Sequence, residues 1–135
     1  GLYYDPRGPR LLTPAQDKVT APRVVGNLWL VAITATSAWT ALWVPKRTGV
    51  YRLSVFGLAR SGATVTWTAE FRYQHAPGAS GTRVAFSGLA TTGDQLGAIE
   101  PFRAVQGYAI EVRMQAVLVA GSPVIDASFV LEEIQ

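Results

Sequence analysis

Residues 63–74 read ATVTWTAEFRYQ. Val65, Trp67, Ala69, Phe71 and Tyr73 fall on one face. Thr64, Thr66, Thr68, Glu70, Arg72 and Gln74 fall on the other. Successive side chains of an extended chain point to opposite sides, so this alternation predicts a half-buried antiparallel strand.

The same period recurs outward in both directions. In YAIEVRMQAVLV (108–119), Ile110, Val112, Met114, Ala116 and Leu118 oppose Glu111, Arg113 and Gln115. VIDASFVLEEI (124–134) puts Ile125, Ala127, Phe129 and Leu131 on one face. In GVYRLSVFGL (49–58), Tyr51, Leu53 and Val55 oppose Arg52, Ser54 and Phe56. About eight strands follow, over 28–36, 38–44, 49–59, 63–74, 82–89, 95–102, 108–119 and 124–134. Turn residues separate them: Gly49, Ser61-Gly62, Pro77-Gly78, Gly93-Asp94, Gly107 and Gly121-Ser122-Pro123. No segment sustains a helical period. The expected fold is all-β, an antiparallel jelly-roll-like sandwich.

Residues 1–26 differ from the 27–135 body. They hold Pro6, Pro9, Pro14 and Pro22, half of the eight prolines. Proline lacks an N–H and biases its predecessor toward extended geometry. The segment therefore reads as an extended arm. It also carries Leu2, Tyr3, Tyr4, Leu11 and Leu12, which a purely solvated tail would not need. These five residues are the candidate assembly contacts.

The length of 135 residues fits one domain. Only 16% of residues are charged and 49% are hydrophobic, against a usual charged share of about 25%. Such a surface points to a partner. Cysteine is absent, which excludes a disulfide framework, thiolate zinc sites and cysteine nucleophiles. The most apolar run, LWLVAITATSAW (28–39), is too short for a membrane helix, and no signal peptide is read at the start. The net charge of +3 comes from scattered residues, mostly arginine. Neither a nucleic-acid nor a membrane partner is expected.

Candidate chemistry is sparse. His75 is the only histidine, set in the turn-rich stretch YQHAPGASGTR (73–83). No serine sits in a nucleophile elbow. Glu70, Glu111 and Asp126 occupy outward strand positions, and Glu132 and Glu133 are adjacent, hence on opposite faces. The glycine-rich GASGTR (78–83) lacks the ending of a phosphate loop. The reading is of no catalytic residue, no metal and no cofactor. Four tryptophans stand out. Trp67 belongs to the core. Trp29, Trp39 and Trp43 are candidate interface or ligand aromatics, with Trp39 and Trp43 expected on one strand face.

The stretch WTALWVPKRTGVYRLSVFG (39–57) resembles a pattern, tVP…tGlYRvsvy, of small β-structured modules in bacteriophage virion proteins. Val44, Pro45, Gly49, Val50, Tyr51 and Arg52 carry it. It is also similar to the Gly-x-Tyr strand of complement/tumour-necrosis-factor-like jelly rolls, which form trimers. The closing GSPVIDASFVLEEIQ resembles the end of the same phage modules over residues 121–133. The Pro-rich arm has no counterpart in that pattern. The resemblance implies a non-enzymatic virion protein, a capsid decoration or head- or tail-fibre component. It would form a homotrimer and attach to major capsid or other virion proteins through its arm. Two alternatives stand beside this. One is a module binding a host-surface glycan or receptor at a virion tip or cell surface. The other is an extracellular filament subunit using the arm for strand addition.

Overall fold

The computed structural model describes residues 22–60, 64–89, 95–120 and 124–135. The arm contacts Leu2, Tyr3, Tyr4, Leu11 and Leu12 lie outside the described residues, as do the turns at 61–62, 93–94 and 121–123 and the side chains of Val65 and Leu118. Among the described residues eight strands form: β1 (Arg23–Ile33), β2 (Thr40–Trp43), β3 (Gly49–Ala59), β4 (Thr64–Ala76), β5 (Ala79–Leu89), β6 (Gln95–Ala104), β7 (Ile110–Ala120) and β8 (Ile125–Glu133).

They make two four-stranded antiparallel sheets. Sheet A has the order β1-β8-β3-β6, and sheet B has the order β2-β7-β4-β5. The first strand pairs with the last, the second with the seventh, the third with the sixth and the fourth with the fifth. This is one long nested hairpin rolled into two sheets, the jelly roll expected from the strand count.

The core lies where the alternation places it. Trp67, Tyr51, Phe71, Phe129, Leu53, Ile110 and Met114 are among its fully buried side chains. Tyr73 and Phe102, with ring centroids 4.5 Å apart, join the two sheets. Arg83 of β5 reaches Glu100 of β6 at 2.7 Å and closes one side of the sandwich.

Three local expectations change. First, β1 starts at Arg23, so residues 23–26 of the expected arm are strand, with Arg23 opposite Glu133. Nothing after Pro22 blocks ladder pairing there. Second, the connection expected at 75–81 shrinks to Pro77-Gly78, and His75 lies inside β4. Proline presets the first turn position, and Gly78 takes the positive φ of 76° that the second requires. Third, β2 starts only at Thr40, leaving Trp39 before it.

Candidate functional site

The two sheets present unlike outer faces. On sheet B, Arg72 ion-pairs with Glu111 at 2.6 Å, and Arg113 with Glu70 at 2.7 Å. These four residues sit directly opposite one another on β4 and β7. The Trp39 ring lies 4.2 Å from the Arg72 guanidinium and 4.5 Å from that of Arg113. Opposite charges across a strand pair and a ring over two cations satisfy this face internally. Trp43 instead packs against the core, so it does not share a face with Trp39. A register shift between Ala41 and Trp43 reverses the alternation between them.

The outer face of sheet A is different. Its two central rows are Asn27–Val130–Ser54–Ile99 and Trp29–Ser128–Phe56–Gly97, running across β1, β8, β3 and β6. Neither row carries a charge. Trp29 is 71% exposed, Ile99 63% and Phe56 48%. Phe56 forms a ridge, because its neighbours across the sheet, Ser128 and Gly97, are small. A groove of about 490 Å³ runs along one side, past Ser54, Gly97, Ile99 and Val130. One of about 460 Å³ runs along the other, past Trp29, Val31 and Leu58.

Charged pairs bound the apolar rows at both ends. Arg52 meets Glu132 at 3.0 Å at one end, and Arg60 meets Asp126 at 2.8 Å at the other. The Asp126 end is shaped by a bulge in β1. Leu30 and Ile33 pair with Ala127 and Ile125, so two residues oppose Asp126 alone. Ala32 takes a left-handed φ of 54° there, and its N–H donates to Asp126 Oδ1 at 2.7 Å. That hydrogen bond holds the Asp126 carboxyl below its ordinary value; burial pushes the other way, and Arg60 adds to the lowering. The bulge leaves both Leu30 and Ile33 against the core while Trp29 and Val31 face out.

A second cluster anchors the start of β1. Glu133 is buried, with Arg23 at 2.8 Å and Arg47 at 3.4 Å. Burial pushes its carboxyl up, but the two guanidinium groups outweigh burial and hold it below its ordinary value. Glu132 points to the opposite face, as adjacency requires. The residues that carry the family resemblance have structural work nearby. A Cβ at Gly49 would collide with the carbonyl oxygen of Gln135, and Tyr51 is fully buried under Glu133.

The structure thus separates the sequence candidates. Trp29 stands on the apolar face, Trp39 on the ion-paired face and Trp43 against the core. Phe56 and Ile99 complete the apolar face and were not singled out as candidates. The signal for Phe56 was its outward place in GVYRLSVFGL, where alternation would put a polar residue. His75 is exposed at the end of β4. Among the described residues, no three of His, Asp and Glu gather in a way that could hold a metal ion. No protein-family model and no curated protein sequence matches the chain.

Proposed function

We propose that this chain is a non-enzymatic structural module of a bacteriophage particle, of the capsid-decoration or fibre type. It assembles as a homotrimer and attaches to other virion proteins through its N-terminal arm. The observation that carries this reading is the uncharged centre of the outer face of sheet A, with Trp29, Phe56 and Ile99 open to solvent. With typical side-chain areas, these three residues alone expose about 300 Å² or more, the scale at which an apolar patch marks an interaction site. The phage-module pattern over residues 44–52 and 121–133 supports the same reading, and jelly rolls recur in viral shells, which is support by analogy.

Edge-to-edge strand addition fits less well than face docking. Edge strand β6 carries Pro101, β1 and β5 are each bulged twice, and β2 has only four residues. Such edges resist an added strand. The glycan-binding alternative draws on one observation, the exposed Trp29 indole beside a groove.

Immunoelectron microscopy with an antibody to this chain, on purified particles and on host-cell fractions, tests the proposal. Label on the particle surface in threefold clusters is expected. Label confined to the host surface or cell interior overturns it.

A further inference from the structure

We propose that residues Pro6–Leu12 of one copy dock across the outer face of sheet A on a neighbouring copy. The inference rests on the assembly reading above and adds where the arm goes.

The prolines and leucines of the occupant match the apolar rows in chemistry, which leaves Arg7 and Arg10 to solvent or to the charged pairs at the ends of the rows. Pro6-Arg7-Gly8-Pro9 has the spacing P-x-x-P. Such segments favour the polyproline II helix, which has no internal hydrogen bonds. They bind through side chains and rings in grooves lined by aromatics. On sheet A, Phe56 and Ser128 border two adjacent grooves, one lined by Ser54 and Gly97 and the other by Trp29. Leu11 and Leu12 follow the prolines and supply the aliphatic contacts that Ile99 and Val130 can cover. Pro6, Pro9 and Pro14 cannot donate to a ladder, so the arm is poorly suited to extend a sheet edge. A face that offers side chains is what remains to it.

Reach permits contact with a neighbouring copy, as the assembly reading requires. The arm joins β1 at a corner of sheet A, where Arg23 is held by Glu133 at 2.8 Å. The ten residues from Leu12 to Pro22 span up to about 33 Å. A four-stranded sheet is only about 15 Å wide. That length is enough for Pro6–Leu12 to reach past its own sheet to a neighbouring copy.

The test uses the full chain with a photoreactive benzoylphenylalanine at position 12, or separately at position 3. Light and nitrogen-15-labelled copies are mixed, irradiated and mapped by mass spectrometry. Cross-links between light and heavy copies, landing on peptides that contain Phe56 or Ile99, are expected from at least one probe. Phe56→Ser with Ile99→Ser in the target copy should lower their yield about tenfold, the effect of weakening binding by one decade, with the far-ultraviolet spectrum unchanged. Cross-links within single copies only, cross-links to sheet B, or none from either probe overturn the inference. Loss of particle labelling with these cross-links intact would sink the virion reading and leave the docking standing.

Discussion

The Tyr51 hydroxyl lies 3.2 Å from the carbonyl oxygen of Arg47 and 3.4 Å from Glu133 Oε2. One proton is shared between two acceptors, beneath a carboxylate that also binds Arg23 and Arg47. Burial, and then the Glu133 charge, raise the Tyr51 phenol above its ordinary 10.0. Folding therefore favours a neutral Tyr51 and an ionised Glu133.

The two groups act at opposite ends of the pH scale. The Glu133 contribution is present above its ordinary value of 4.5 and is lost as pH falls through the lower folded value. The Tyr51 contribution is present below 10.0 and is lost as pH rises through the higher folded value. Glu133→Gln should flatten the acid limb of stability. Tyr51→Phe should flatten the alkaline limb and lower neutral-pH stability by about 1–2 kcal/mol. Urea titrations at a series of pH values check both; an acid limb unchanged in Glu133→Gln would refute the assignment.

The bulge at Ala32 makes a separate prediction. A non-glycine residue in the left-handed region is strained by about 1–2 kcal/mol. Ala32→Gly should therefore raise stability by about 1 kcal/mol, although glycine weakens an ordinary strand. Asp126→Ala should lower it by about 1–3 kcal/mol, because Ala32 N–H loses a charge-assisted partner. Denaturant midpoints measure both. A destabilised Ala32→Gly would show that the turn is not strained.

Trp67 and Trp29 test the division between core and face. Trp67 is fully buried with its indole N–H unpartnered. Trp67→Ala should cost about 3–5 kcal/mol, a large share of a typical 5–15 kcal/mol. At concentrations where the chain is monomeric, Trp29→Ser should stay within about 0.5 kcal/mol, as surface changes do. Thermal melts of the two variants settle the contrast; a large loss from Trp29→Ser would mean that its ring packs within the fold.

Removing the arm should depend sharply on the cut. Deleting residues 1–21 leaves every β1 pair and the Arg23–Glu133 contact in place, so at concentrations where the chain is monomeric the melting temperature should hold. Deleting residues 1–25 also removes two paired positions, Arg23 and Val24, and strips Glu133 of its closest cation. That protein should melt several degrees lower, as about 1 kcal/mol does for a domain near this size. Equal melting of the two truncations would contradict the anchoring role of Arg23.

Most of the fold was legible because burial on one side of a strand forces alternation, and alternation survives in the letters. Tyr51, Leu53, Ile110, Val112, Met114, Ile125 and Phe129 fall inward as read. What alternation could not supply was its own interruptions. The bulges in β1 and β2 depend on pairing with β8 and β7, far off in sequence, and they decide that Leu30 and Ile33 share a face while Trp39 and Trp43 do not. The arm boundary failed for a related reason. Arg23 and Val24 look like arm until Glu133 and Glu132 lie beside them. The apolar face was half legible. Trp29 stood out as a tryptophan, whereas Phe56 and Ile99 become a surface only once β3 and β6 are neighbours.

The nested pairing also governs the order in which the chain can be finished. The β4–β5 hairpin closes over two residues, whereas Arg23 and Glu133 are 110 positions apart. Long closures are entropically slower, so assembly should zip outward from Pro77-Gly78. During synthesis at about 5–20 residues per second, β1 waits about 5–20 s for its partner to be made. That partner, β8, is the last of these eight strands to be translated, yet it lies between β1 and β3. Sheet A therefore cannot close until the final strand has left the ribosome, and a stop codon before residue 125 would leave β1 with no strand to pair. Stalled nascent chains should become protease-resistant only once Glu133 has cleared the exit tunnel. Resistance at shorter lengths would show that sheet A can close without its central strand.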